Sequence, residues 1–157
     1  MNPFVFLDTY SAGQCLVGSF CGDTDIIAAI TEACTIHHIR FVTFSVSGTV
    51  SIATFGGFDP VQQVHVTETL EKPMEIVHCE GNAAPGKDGL FVHGRIALAT
   101  LDGQVVGGRL FSETRIRAGE LMLQEWVGPP RHRAYDPATG QWALIRPPGQ
   151  RTTRTEP

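Results

Sequence analysis

From Arg40 to Val127 the chain reads as strand after strand, and one helical stretch precedes that run. This imbalance limits the fold more than any other feature. Ile26, Ile27, Ile30, Ala33 and Cys34 recur at helical spacing on one face. Gly22-Asp23-Thr24-Asp25 just ahead supplies turn and N-cap residues, so an amphipathic helix is expected over 24–37. His37-His38 falls at its end, where positive charge suits the helix dipole. Residues 14–21 read as a strand. Over 40–47, Val42, Phe44 and Val46 take one face and Phe41, Thr43 and Ser45 the other. Gly48 interrupts, 49–55 resumes, and Gly56-Gly57 with Asp59-Pro60 punctuates the run. Strands are expected at 61–70, 74–80, 90–100 (the longest), 104–111 and 120–127, with a loop over 81–89. Asp102-Gly103 signals a two-residue hairpin turn with positive φ at both positions. One helix and many short strands make an α+β fold with a mostly antiparallel sheet.

The chain has 157 residues, 42% hydrophobic and 18% charged, which suits one globular domain that needs no metal or disulfide to fold. No apolar run is long enough for a membrane helix, and the opening residues, with Asp8 early and no basic stretch, do not read as a signal peptide. A cytoplasmic protein without membrane partners is expected. Cys15, Cys21, Cys34 and Cys79 form no C-x-x-C pair and read as reduced thiols, with Cys34 in the core. Charge divides the chain. Residues 1–127 hold 7 Lys/Arg against 14 Asp/Glu, whereas 128–157 hold five Arg against Asp136 and Glu156. Gly128-Pro129-Pro130 opens this second part, so the boundary falls between a domain at 1–127 and a Pro/Arg-rich extension at 128–157. Residues 135–142 read as a turn between two aromatics that folds back on the domain, and 150–157 as frayed.

Several chemistries are excluded by pattern. The chain lacks a P-loop, a strand–helix G-x-G-x-x-G, a G-x-S-x-G elbow and the H-x-x-x-H pair of metalloproteases. What remains is a polar group around the Asp102-Gly103 hairpin. His93, Arg95, Ala97 and Ala99 share one strand face, and Val92, Gly94, Ile96 and Leu98 share the core face. Arg109 follows Gly107-Gly108 on the return strand, where glycines mark a bulge or a close approach. With Leu101 facing Gln104, Arg109 lies opposite Ile96, off the face of His93. A bulge at Gly107-Gly108 would bring it round. His78 and Glu80 share a face of the preceding strand. His78, His93, Arg95 and Arg109 together suit an anion, because a guanidinium matches a carboxylate or phosphate as a planar fork. The same residues also suit polar contacts between subunits, and the two readings are compatible. An anion-binding site or an enzyme site between subunits, with His93 or His78 as acid or base beside Arg95 and Arg109, is the alternative reading; no nucleophile–base pair can be assigned, so no catalytic residue is named and an enzyme is not the favoured reading.

In order, these segments resemble the PPC domain (plants and prokaryotes conserved). The resemblance runs from about Gln14 to Val127. It rests on the helix followed by HHIRFVTFSVSGTVSIATFGGFDP, on MEIVHCEGN, on APGKDGLFVHGRIALATLDG and on QVVGGRLF. It implies an α+β homotrimer that acts as a binding or regulatory module, associated with DNA or with a regulatory protein. The Arg-Gly-Arg-Pro core of an AT-hook is absent, so the minor-groove mode of the plant proteins is not implied. The partner-contacting Gly-Arg-Phe-Glu-Ile-Leu stretch of those proteins is reduced here to Lys72-Pro73-Met74-Glu75-Ile76-Val77. Many prokaryotic members carry His-x-His and Gly-Gly-His, which look like a metal site. The matching positions here are His93, Arg95 and Arg109. Arginine has no lone pair to give, so neither a metal nor another cofactor is expected, and an anionic small molecule is the alternative ligand.

Overall fold

A computed structural model describes residues 4–147 together with Gly149. In chain order the elements are β1 (Ser11–Ser19), β2 (Thr24–Asp25), α1 (Ile26–Ile36), β3 (Val42–Asp59), β4 (Val64–Leu70), β5 (Met74–Gly86), β6 (Gly89–Ala99), β7 (Val105–Leu110), β8 (Arg115–Val127), β9 (His132–Asp136) and β10 (Gln141–Ile145). The main sheet runs β1-β8-β3-β5-β6-β7, with β2 on β8 and β4 on β3, and all its pairings are antiparallel. β7 also pairs with the far half of β3, at Phe55↔Leu110 and Gly56↔Arg109. Strands β3, β5, β6 and β7 therefore close into a ring, and the α+β architecture is the expected one. No helix among the described residues is long and apolar enough to cross a membrane.

The single helix is fixed at both ends. The Asp25 carboxylate accepts from the Ala28 N–H at 2.8 Å and from the Glu113 N–H at 2.7 Å, so one side chain caps α1 and ties it to the turn before β8. His37 closes the last turn through its N–H to the Ala33 carbonyl, and His38 leaves in the left-handed region at φ 57°. Ile26, Ile30 and Cys34 face the core, which they share with Val42, Phe44, Val50, Ile96, Leu98, Leu110 and Leu123. Each large aliphatic residue buried there contributes about 1.5–3 kcal/mol. Burial pushes the Cys34 thiol up to about 11 and that of Cys79 up to about 12, which leaves both as inert apolar packing groups. All four cysteines are free.

Several strand boundaries differ from expectation, and glycine is the cause of the two largest differences. β3 runs unbroken through Gly48 and Gly56-Gly57, so it, and not 90–100, is the longest strand. Gly48 sits at φ +123°, with the Ala118 carbonyl oxygen 2.1 Å from where a Cβ would be. Segment 81–89 is no loop. β5 continues to Gly86 and pairs with β6 up to Gly86↔Gly89, leaving Lys87-Asp88 as the turn. At Gly81 a Cβ would lie 2.1 Å from the His93 carbonyl oxygen. These glycines let strands press together rather than ending them. The 61–70 strand begins at Val64, because the Asp59 carboxylate holds Val61 and Gln62 in a turn. The last domain strand starts earlier than expected, at Arg115.

The extension folds back, as its two aromatics suggested. β9 and β10 form a hairpin with Trp142 opposite Tyr135, and the Trp142 ring stacks on Phe91 with centroids 4.8 Å apart. Its base is clamped to the N-terminal segment. Arg131 is buried over the Phe6 ring and pairs with Asp8, Arg146 reaches the same carboxylate at 2.8 Å, and the Tyr10 hydroxyl donates to the Pro129 carbonyl. Hydrogen bonding from Arg146 first, and from Arg131 as well, holds the Asp8 carboxyl below its usual range. Residues 150–157 lie outside the described residues.

Candidate anion site

The hairpin joining β6 and β7 decides which arginine can reach His93. The Gly103 N–H donates to the Thr100 carbonyl and the Thr100 N–H to the Gln104 carbonyl. Only Gly103, at φ 81°, is left-handed in this turn. The loop is thus Leu101, Asp102 and Gly103 rather than a two-residue turn, and the register moves by one. Arg109 lies opposite Arg95, with Gly108 opposite Ile96 and Gly107 opposite Ala97. No bulge is needed at Gly107-Gly108, and Arg109 shares the face of His93. The pair of glycines serves backbone contact: a Cβ on Gly108 would meet the Gly56 carbonyl at 2.3 Å, and one on Gly107 the Ile96 carbonyl at 2.1 Å.

His93, Arg95 and Arg109 line one cavity of about 190 Å³ between the sheet and the C-terminal hairpin. Its other walls are Gly56, Gly57 and Phe58 of β3, His65 of β4, and Gln141 and Trp142 of β10. Among the described residues no carboxylate lines it. Arg133 enters from behind, buried, donating to Asn82 Oδ1 at 2.5 Å and to the Trp142 carbonyl at 2.8 Å. Arg109 Nη1 stands 3.3 Å from His65 Nε2, and its guanidinium lies over the rings of Phe111 and Phe91. Arg109 Nε, Arg133 Nε and His65 Nδ1 are buried without hydrogen-bond partners.

The electrostatics follow from this crowding. Burial pushes His93 down to about 4, and Arg133, Arg109 and Arg95 add to the effect, so its imidazole is neutral at pH 7. Burial, followed by the neighbouring Arg109, brings Arg133 down to about 10, and burial also lowers Arg109. Neither Arg95 nor Arg109 forms an ion pair among the described residues. Glu80 is the strand partner of Arg95, yet its carboxylate goes to His78 at 3.3 Å.

His78 shares a groove with His93 and Arg95 but does not reach the cavity that holds Arg109. It lies in an adjoining open groove of about 590 Å³, exposed, with Glu80, Thr43, Ser45 and Met122. His93 and Arg95 border both spaces. Sequence reading passed over His65, Arg133, Gln141 and Trp142. His65 was hidden because its neighbours Val64 and Val66 suggest the core, whereas both are exposed and the imidazole turns inward against Phe58. Arg133 was read as part of a basic tail.

A metal ion does not fit these residues. Of the usual metal-ligating residue types only His65 and His93 are present, the first faces a guanidinium, and the surrounding charge is positive. Among the described residues no three His, Cys, Asp or Glu side chains are grouped to hold one.

Comparison with known proteins bears on the fold first. The sequence profile of the Plants and Prokaryotes Conserved (PCC) domain matches residues 7–127. A metal-containing protein of Archaeoglobus fulgidus has a similar structure at 26% identity and TM-score 0.84, over 90% of this chain and 100% of that one. A plant- and prokaryote-conserved protein of Pyrococcus horikoshii superposes with TM-score 0.82 at 20% identity, over 90% and 99%. A candidate DNA-binding protein of Bacteroides thetaiotaomicron does so with TM-score 0.75 at 23% identity, over 88% and 98%. No curated protein matches.

Proposed function

Because the chain belongs to the Plants and Prokaryotes Conserved domain family, we propose that it is a homotrimeric binding module of the cytoplasm whose ligand is a small anion, held by Arg95, Arg109, His93 and His65. The observation that carries this reading is a cavity bordered by two guanidiniums and no carboxylate, with buried nitrogens that lack partners. Leaving such groups unpaired is costly in a stable protein, and a bound anion removes the cost. No chemical step is assigned. Self-association is supported by apolar side chains on the outer sheet face, where Val17, Met122 and Val105 are exposed. The test is a titration of sodium phosphate into the full chain at constant ionic strength, followed by thermal unfolding. The wild type is expected to gain several degrees and Arg109→Met none. Native mass spectrometry is expected to give three chains.

A second reading, association with DNA or a DNA-bound regulator, is favoured by relatives described as candidate DNA-binding proteins. Phosphate contacts need free cations. Here Arg131 and Arg146 are tied to Asp8, Arg133 is buried, and the 1–127 part is strongly acidic. Salt-dependent binding of a DNA duplex that is lost on deleting 128–157 would favour it over the anion pocket.

A further inference from the structure

Two features of the cavity narrow what can occupy it: its charge and its size. Arg95 and Arg109 border it, and Arg133 stands immediately behind. Arg109 and Arg133 each keep a buried Nε without a partner. A singly charged anion answers at most one of these guanidiniums as an ion pair, whereas a doubly charged one answers two through bidentate contacts. The volume, about 190 Å³, lies below the roughly 300–1,000 Å³ of ordinary small-molecule pockets. The wall that limits it comes from the C-terminal hairpin. Trp142 packs on Phe91 with centroids 4.8 Å apart and planes tilted by 30°, it meets Tyr135 edge-on at 5.8 Å, and Gly140 sits directly against the Phe58 ring. The hairpin is pinned in turn by the Arg131–Asp8–Arg146 clamp. These residues of the hairpin fall outside the 7–127 span that the family profile matches.

We infer that the cavity takes a compact dianion, an inorganic phosphate or a short dicarboxylate, and that Trp142 sets the upper limit on its size. This rests on the anion reading above and makes it specific. The two lining guanidiniums hold the charge. Gln141 and the neutral His93 supply hydrogen bonds to the remaining oxygens. Trp142 excludes an anion that carries a nucleoside or another bulky group.

The test is calorimetric titration of the full chain at pH 8 and constant ionic strength with four probes: phosphate, malonate, acetate and adenosine monophosphate. Arg109→Met and Trp142→Ala are measured alongside, with near-ultraviolet circular dichroism to check that each is folded. Phosphate or malonate is expected to bind at least tenfold more tightly than acetate and than adenosine monophosphate. Which of the two binds more tightly distinguishes a phosphate from a carboxylate ligand. Trp142→Ala is expected to bring adenosine monophosphate within about threefold of phosphate. Equal affinity for acetate and malonate, or full binding of adenosine monophosphate by the wild type, overturns the dianion and size assignments while leaving an anion site standing. Heat from none of the four probes overturns both readings. A misfolded Trp142→Ala leaves the size limit to be judged on the wild-type ratio alone, which is sufficient.

Discussion

Arg131 and Arg146 converge on Asp8, while Arg95, Arg109 and Arg133 converge where no described carboxylate pairs with them. Both clusters involve the C-terminal hairpin, and both contain a nearly buried guanidinium. They differ in their counter-charge. The first has its carboxylate, although Arg131 Nε is buried without a partner as Arg109 Nε and Arg133 Nε are, and its visible task is to fix the extension against the N-terminal segment. The second sets the buried Arg133, the half-buried Arg109 and the exposed Arg95 beside a neutral imidazole, and spends conformational order on an arrangement that folding alone does not reward. The difference teaches that the position of an arginine matters less than what answers it. Charge left unanswered inside a formed cavity points to something that arrives from outside.

The contrast can be broken most severely at Arg109. Replacing it with methionine is expected to weaken phosphate binding about a hundredfold or more, since a buried charge partner is worth roughly 2–5 kcal/mol. The ligand-free protein should not lose stability, because a half-buried cation without a carboxylate partner is removed. Arg131→Met does the opposite. It leaves binding nearly intact through Arg146 and lowers the unfolding free energy by about 1–3 kcal/mol, measured by urea denaturation. Gln141→Glu makes the second cluster resemble the first by adding an internal carboxylate. That substitution is expected to raise ligand-free stability by about 1 kcal/mol and to cut phosphate affinity more than tenfold.

A pH titration sharpens the contrast. His93 has an ordinary value of 6.5 and a folded value of about 4. The unfolded chain therefore takes up a proton between these limits and the folded one does not. Stability from this group is complete above about 6.5 and is lost as pH falls towards 4. For a ring about half exposed the loss is about 1–2 kcal/mol, and His93→Gln should flatten that part of the stability–pH curve. The Asp8 contribution is lost only at lower pH, as its depressed folded value is passed. The smallest effect is expected at His78. Its Ala variant should change phosphate affinity less than twofold, because His78 faces the open groove and Glu80.

Sequence made the helix, its Asp25 cap region, the core face of Val92, Ile96 and Leu98, and the α+β class legible, because each rests on local spacing. The ends of β3 and β5 were not legible. Gly48 and Gly81 look like breaks in composition, and only the neighbouring backbone shows that they permit contact. His93, Arg95 and Arg109 could be named from their strands. Whether Arg109 joined them depended on one residue of register, set by a loop in which Gly103 alone has positive φ. His65 and Arg133 were out of reach for opposite reasons. One sits between exposed valines that imitate a core strand, and the other lies in a segment whose charge suggests solvent.

The most direct test of the unanswered cluster is the unfolding midpoint of the full chain against phosphate concentration at fixed ionic strength, for wild type and Arg109→Met side by side. The account predicts a saturable rise in the wild type, and for the variant a flat line that starts no lower. A rise of equal size in both proteins, or in neither, would contradict it.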